Sequence, residues 1–204
     1  MTFRSQSNTV IRGIAKSLIW TLYGGTVWNP PLPSQVRSIL FVCKGNICRS
    51  PFAEHMARSI IAINARKTKP YETFSAGIHV GGPKKPPSEA IASAKKFGID
   101  LHEHKSRPIN YHLLESYDMI IAMETGQYKF LRKLFVEFEK KIYLLPLFYI
   151  EKGQGLSAYH KYNIQDPYGR NLSDFNECFN RIERCISVLF SRIELISGDS
   201  RETI

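Results

Sequence analysis

Cys43 and Arg49 are separated by five residues in the segment CKGNICRSP. Gly45 permits a positive φ, and Asn46 adopts one more readily than most other residues, so the backbone N–H groups of this segment can point inward around an anion. These N–H groups, with Arg49 and the Ser50 hydroxyl, would stabilise a thiolate on Cys43 and make it a nucleophile at neutral pH. Arg49 can donate two parallel hydrogen bonds to phosphoryl oxygens. The segment therefore predicts a phosphate-binding loop that carries a cysteine nucleophile.

The elements on either side of this loop must hold it in place. Positions 38–42 form an apolar run typical of a buried strand, and Pro51 suits the first position of a helix. A helix that begins there directs the positive end of its dipole at the loop. The same Cys-x5-Arg spacing recurs at Cys178 and Arg184. That pair lies inside a predicted amphipathic helix, whose backbone N–H groups are already bonded, and we interpret it as structural.

Strand and helix patterns alternate along the rest of the chain. Strands are predicted at 38–42, 73–76, 118–122 and 141–145, and helices at 51–63, 88–97, 125–135 and, beyond a long loop, from about 171 onward. In the last helix apolar residues recur at spacings of three and four, namely Phe175, Cys178, Phe179, Ile182, Ile186, Leu189 and Ile193. This alternation predicts a three-layer α/β fold, in which helices flank a central four-stranded parallel sheet. Ligands of such sheets bind at the carboxyl ends of the strands, which is where the loop after the first strand lies.

The composition is that of a globular chain. With 204 residues, 43% of them hydrophobic, it excludes disordered, collagen-like and disulfide-stapled chains. Lys and Arg number 28 against 18 Asp and Glu, a net charge of +10, and six basic residues precede the first acidic one, Glu54.

No apolar run approaches the roughly 20 residues of a transmembrane helix. Four cysteines are too few for an extracellular disulfide framework and no signal peptide is recognisable, so we expect a reducing, cytoplasmic compartment.

The first 37 residues are predicted to lie outside the domain, which we place at 38–204. Three prolines within positions 29–33 predict an extended linker. The segment 9–24 predicts a helix with an apolar face, formed by Ile11, Ile14, Ala15, Leu18, Ile19 and Leu22, and a basic face with Arg12 and Lys16. Such a helix fits peripheral contact with an anionic membrane, docking onto the domain or a partner's groove. An organelle transit peptide is a further interpretation.

Several separate segments resemble one known family in order and spacing. They are ILFVCKGNICRSPFAEHMA at 39–57, SAGIHVG at 75–81, HKSR at 104–107, DMIIAM at 118–123, DPYG at 166–169 and SDF at 173–175. Together they resemble the low-molecular-weight protein tyrosine phosphatases of the bacterial type, over residues 38–196.

The resemblance implies the activity and the catalytic residues. It implies hydrolysis of phosphotyrosine through a cysteinyl-phosphate intermediate, with Cys43 as nucleophile, Arg49 as phosphate clamp and Asp166 as general acid and base. On its own, the Asp-Pro-Tyr-Gly sequence predicts only a turn. Neither a cofactor nor a metal is expected. The implied partner is a phosphotyrosine-containing protein, such as an autophosphorylated tyrosine kinase, and not a nucleic acid.

The resemblance also implies supporting roles. The loop residues Lys44, Gly45, Asn46, Ile47, Cys48 and Ser50 would surround the phosphate. His104 would hydrogen-bond Asn46, and His79 and Tyr168 would flank the substrate ring at the rim. Cys48 would form a reversible disulfide with Cys43. From the residues alone, a loop position for His79, a solvated His104 and a merely packed Cys48 stay open.

The sequence departs from the family pattern at three positions, and three other functions are open to it. Lys44 stands where an apolar residue is common and favours acidic substrates, Glu124 replaces an Asp, and Gln165 replaces a Pro.

An arginine phosphatase of the same family typically has Thr at the position of Ile47, whose bulk favours an aromatic ester. An arsenate reductase needs two further cysteines on a mobile loop. A non-catalytic phosphate-binding module would not need Asp166.

Overall fold

The computed structural model describes residues 27–63, 71–150 and 158–199. The strands are β1 (Ser38–Cys43), β2 (Glu72–Gly77), β3 (Met119–Ala122) and β4 (Ile142–Leu144). The α-helices are α1 (Arg49–Ile63), α2 (Ser88–Lys95), α3 (Tyr111–Ser116), α4 (Thr125–Leu134), α5 (Ala158–Lys161) and α6 (Leu172–Asp199). Two 3-10 helices, Val136–Lys141 and Leu145–Phe148, flank β4.

The four strands form one parallel sheet in the order β2-β1-β3-β4. Every residue of the central strand β1 is buried, and its side chains alternate between the two faces. Ile39 and Phe41 belong to one apolar core, which includes residues of α1, α2 and α6. Leu40 and Val42 belong to a second core with residues of α3 and α4. The predicted three-layer α/β fold is therefore confirmed.

Differences from the predicted elements have local causes. Helix α3 was not predicted because its six residues are too few to show a period; Asn110 begins it by accepting a hydrogen bond from Leu113 N at 2.9 Å. Helix α2 ends at Lys95, two residues earlier than predicted, and the turn that follows contains Gly98 with a φ of 71°. Strand β3 begins after Asp118, whose carboxylate accepts hydrogen bonds from the start of β1.

Residues 27–33, which we call the strap, lie along the outer edge of β4. They have no regular secondary structure. The side chain of Asn29 hydrogen-bonds the backbone of Leu144 twice, accepting from its N–H at 2.7 Å and donating to its carbonyl oxygen at 3.1 Å. The hydroxyl of Tyr143 donates to Pro31 O at 2.9 Å and that of Tyr128 to Trp28 O at 2.8 Å. The strap thus satisfies polar groups on an edge strand that would otherwise be open to pairing.

The helix predicted at 9–24 lies outside the described residues. Within the described ranges, no helix is both long and apolar enough to span a membrane. The division of the chain at residue 38 stays a prediction.

Candidate active site

The phosphate-binding loop joins the end of β1 to the start of α1. Cys43 is the last residue of β1, and its Sγ accepts hydrogen bonds from Asn46 N at 3.2 Å and from Ser50 Oγ at 3.1 Å. Both donors stabilise negative charge on the sulfur, as does the N-terminus of α1, which begins at Arg49. The loop therefore surrounds the Cys43 sulfur with hydrogen-bond donors.

Asn46 fixes the shape of this loop. It is fully buried and has a φ of 52°, the left-handed conformation that Asn tolerates better than most residues. Its Nδ2 donates to Ser50 Oγ at 3.0 Å and to Ser75 Oγ at 2.8 Å, and its Oδ1 accepts from Arg107 N at 3.0 Å. His104 Nε2 lies 2.9 Å from the Asn46 carbonyl oxygen, so this nitrogen carries the proton and donates. Burial lowers the pKa of His104, which keeps the ring neutral at pH 7.

Two further features fix the position of Asn46: the close approach of Gly77 and the hydrogen bond that Ser75 makes with Glu54. A side chain at Gly77, the end of β2, would place its Cβ 3.0 Å from both Cβ and N of Asn46, so only glycine admits this approach. Ser75 Oγ donates at 2.6 Å to Glu54 Oε2, a carboxylate of α1 that is 1% exposed. Glu54 is also within 3.5 Å of the Arg107 guanidinium. The loop thus rests on a buried polar network rather than on apolar packing alone.

Arg49 lies between two carboxylates. Its side chain is 1% exposed; Nη1 donates to Glu124 Oε1 and, at 3.0 Å, to Ile164 O, and Nη2 lies 2.7 Å from Asp166 Oδ2. Burial alone would lower the pKa of Arg49, but the interactions with Cys43, Glu124 and Asp166 outweigh it and raise the pKa above its ordinary value. Nε is buried and has no hydrogen-bond partner among the described residues. One strong donor of the guanidinium is therefore left for a ligand.

The loop that carries Asp166 is tied to the end of β3. Asn163 Oδ1 accepts hydrogen bonds from Thr125 N at 2.9 Å and from Thr125 Oγ1 at 2.7 Å, and Ile164 N donates to Met123 O at 2.9 Å. Asp166 Oδ1 accepts from Tyr168 N at 3.3 Å, in the turn that the Asp-Pro-Tyr-Gly sequence predicts. These contacts bring a residue 123 positions from Cys43 to the phosphate-binding loop.

A cavity of about 270 Å³ opens above the loop. It is lined by Cys43, Arg49 and Asp166, by Lys44, Gly45, Ile47 and Cys48 of the loop, and by His79, Lys84 and Tyr168 at its mouth, among others. Asn46, Ser50 and His104 lie behind it. Tyr168 is 62% exposed, and the ring of His79 lies 6.2 Å from the ring of Phe130 on α4. The residues predicted for the site are thus brought together around one opening.

All four cysteines are free. Burial, together with Cys43 and Asp166, raises the pKa of Cys48, so its thiol is protonated at neutral pH. Cys178 and Arg184 lie within α6, as the sequence predicted, and burial raises the pKa of Cys178 as well. The Cys43–Cys48 disulfide stays a prediction. The parts of the chain that the structure describes contain no group of three or more His, Cys, Asp or Glu side chains placed to hold a metal ion.

Comparison with known proteins identifies the family. The sequence pattern described as "Low molecular weight phosphotyrosine protein phosphatase" matches residues 38–196. The chain belongs to this family. The low molecular weight protein-tyrosine-phosphatase Etp of Escherichia coli (strain K12) is 32% identical over 149 residues, 72% of this chain and 88% of Etp. The protein-arginine-phosphatase of Bacillus subtilis (strain 168) is 26% identical over 156 residues, 76% of this chain and 96% of that one.

A solved structure extends the comparison to the fold. Vibrio vulnificus Wzb in complex with benzylphosphonate has a TM-score of 0.64 and 26% identity, and covers 78% of this chain and 99% of its own. Membership of the low molecular weight phosphatase family confirms the predicted resemblance and the predicted enzyme class, a protein phosphatase and hence a hydrolase.

Sequence reasoning missed four residues that shape the site. Ser75 and Arg107 stand in segments that carry the family resemblance, but their contacts with Asn46 join parts of the chain that are far apart in sequence. No local pattern marks Asn163. Lys84 had a visible signal, because two adjacent lysines stand between prolines in GGPKKPPSEA, in the loop between the second predicted strand and the helix predicted at 88–97.

Proposed function

We propose that this chain hydrolyses phosphotyrosine in proteins, with Cys43 as nucleophile, Arg49 as phosphate clamp and Asp166 as general acid and base. One observation carries the proposal: Cys43 Sγ accepts two hydrogen bonds at the base of a cavity that Arg49 and Asp166 also line. A nucleophile, a clamp and a proton donor around one opening are the parts that phosphoryl transfer needs.

The first step transfers the phosphoryl group to sulfur. Cys43 Sγ attacks phosphorus, the bond from phosphorus to the phenolic oxygen breaks, and Asp166 gives its proton to that oxygen. Arg49 donates to the phosphoryl oxygens, and its unpartnered Nε supplies one of these hydrogen bonds.

The second step releases phosphate. The Asp166 carboxylate takes a proton from water, the water oxygen attacks phosphorus, and the bond from phosphorus to sulfur breaks. The products are inorganic phosphate, the Cys43 thiolate and a protonated Asp166 ready for the next cycle. No metal or cofactor takes part.

The lining of the cavity favours an aromatic ester. Ile47 and Tyr168 offer apolar and aromatic surface to a substrate ring. The benzylphosphonate bound by Vibrio vulnificus Wzb combines an aromatic ring with a phosphonate, an analogue of the ring and phosphate of phosphotyrosine. A phosphorylated arginine lacks the ring, and Ile47 replaces the Thr expected of arginine phosphatases. An autophosphorylated tyrosine kinase is a candidate protein substrate.

Turnover of para-nitrophenyl phosphate and of matched phosphotyrosine and phosphoarginine peptides tests the proposal. We expect hydrolysis of the first two, complete loss in Cys43→Ser, and a fall of about 10²–10⁴-fold in Asp166→Asn that is greatest for poor leaving groups. Asp100→Asn, an exposed carboxylate on the loop after α2, is the matched control and should retain full activity. Normal turnover by Cys43→Ser, or faster hydrolysis of the phosphoarginine peptide, would contradict the proposal.

The cellular setting is part of the same proposal. A reducing compartment such as the cytoplasm keeps thiols in the reduced form that the Cys43 nucleophile needs, and we place the chain there. Peripheral contact of residues 9–24 with an anionic membrane is retained as a proposal from the sequence pattern alone.

A further inference from the structure

The positive charge of Arg49 is compensated within the site. Arg49 pairs with both Glu124 and Asp166. The other charged side chains that line the cavity are Lys44 and Lys84. Neither lysine has an ion-pair partner among the residues that the structure describes. The uncompensated charge at the mouth is therefore positive and is carried by these two ammonium groups.

Lys84 is presented from a fixed backbone. Its N–H donates to Ser106 Oγ at 2.9 Å, and Ser106 N donates to the Lys84 carbonyl oxygen at 2.9 Å. Ser106 is 4% exposed, so this reciprocal pair anchors the lysine to a buried residue. Pro83 on one side and Pro86 shortly after restrict the backbone further. Lys84 thus differs from a lysine on an unrestrained surface loop.

Lys44 is presented in a comparable way. It follows Cys43 in the phosphate-binding loop, its side chain is exposed, and its carbonyl oxygen accepts a hydrogen bond from His79 N at 2.8 Å. The two ammonium groups are therefore carried by two different loops, one after β1 and one after β2, around the same opening. A peptide whose phosphorylated side chain enters the cavity must pass its neighbouring residues over this rim.

We propose that Lys44 and Lys84 bind carboxylates next to the phosphorylated residue, so that the preferred substrates are acidic phosphotyrosine segments. This inference rests on the proposed function. Each lysine contributes about two- to fivefold in kcat/KM, the range expected of solvent-exposed ion pairs. The contribution decreases as salt screens the charges.

Two phosphotyrosine peptides that differ only in their flanking residues test this inference with the full chain. One has Glu on both sides of the phosphotyrosine and the other has Gln, so size and hydrogen bonding are matched. The quantity measured is the ratio of their kcat/KM values, because any change in basal activity cancels. We expect a ratio of about ten, reduced two- to fivefold by Lys84→Gln and by Lys44→Gln. Lys95→Gln removes the same charge from an exposed position on α2 outside the cavity and should leave the ratio unchanged.

Charge reversal gives a second, independent measurement. A third peptide has Lys on both sides of the phosphotyrosine. The ratio of its kcat/KM to that of the Glu peptide should be higher for Lys84→Glu than for the unsubstituted chain. A ratio near one in the unsubstituted chain, or a ratio that stays near ten when Lys44→Gln and Lys84→Gln are combined, would overturn the inference. An equal loss in Lys95→Gln would also overturn it, because the effect would then come from net charge.

Measuring phosphopeptide binding separately from hydrolysis distinguishes a failure of the proposed function from a failure of the inference about Lys44 and Lys84. If neither para-nitrophenyl phosphate nor any peptide is hydrolysed, the proposed function fails. The dissociation constants of the Glu and Gln phosphopeptides for Cys43→Ser, measured by fluorescence anisotropy, still decide whether Lys44 and Lys84 select acidic flanks. Equal dissociation constants would overturn the inference even if para-nitrophenyl phosphate is hydrolysed.

Discussion

Replacing Asn46 by Ala should destabilise the protein through two separable effects. Three side-chain hydrogen bonds with Ser50, Ser75 and the Arg107 backbone are lost, at about 1 kcal/mol each. Ala at a φ of 52° adds strain of roughly 1 kcal/mol. The free energy of unfolding should therefore fall by about 4 kcal/mol. For a chain of this size the melting temperature should fall by roughly 8–16 °C.

Asn46→Gly separates the two effects. Glycine loses the same hydrogen bonds but adopts a positive φ without strain, so this variant should be about 1 kcal/mol more stable than Asn46→Ala. Asn110→Ala is a matched control, because Asn110 makes one capping bond at a negative φ and its loss costs about 1 kcal/mol. Urea unfolding, followed by circular dichroism, measures all three differences. If Asn46→Ala is no less stable than Asn110→Ala, or is more stable than Asn46→Gly, the reasoning fails.

Three further predictions concern stability and the extension. Asn29→Ala removes both strap bonds to β4 and should lower the melting temperature by roughly 4–8 °C, whereas Gln35→Ala, at an exposed site, should leave it unchanged. Burial lowers the pKa of His104, so the neutral ring stabilises the fold fully above about pH 6.5, and this stabilisation is lost as the pH falls. The melting temperature should therefore fall less between pH 7.5 and 5.5 in His104→Gln than in the unsubstituted chain. In flotation with anionic vesicles, the full chain should float and a chain beginning at Val27, which keeps the strap, should not; equal flotation would discard membrane contact through residues 9–24.

The sheet could be predicted from the sequence because its signals are local. The apolar run of β1, the proline at the start of α1 and the apolar stripe of α6 are each visible among residues close together in the chain. The phosphate-binding loop was predictable for the same reason, since Gly45 and Asn46 have conformational preferences of their own. A six-residue helix such as α3 has no such signal and depends on its cap and its packing.

The support of the site depends on contacts that sequence spacing does not show. Glu54 stands four residues before Arg58 on α1, a spacing at which opposite charges commonly pair on an exposed helix face. In the structure Glu54 is 1% exposed and accepts from Ser75, 21 positions away. Nothing in the local pattern distinguishes this buried carboxylate from a solvated one, because its burial is set by how α1 packs on the sheet.

The two carboxylates on Arg49 differ in ways that suit different tasks. Glu124 is the less exposed, at 25% against 38% for Asp166, and its Oε1 also accepts from Gln127 at 3.1 Å. Asp166 lies in a turn beyond β3 and α4, where it contacts Arg49 through one nitrogen. A phosphate that enters the cavity competes with both for the guanidinium, and the more exposed carboxylate is the easier to displace. In the proposed mechanism Glu124 therefore keeps Arg49 aligned, while Asp166 is released to carry the proton.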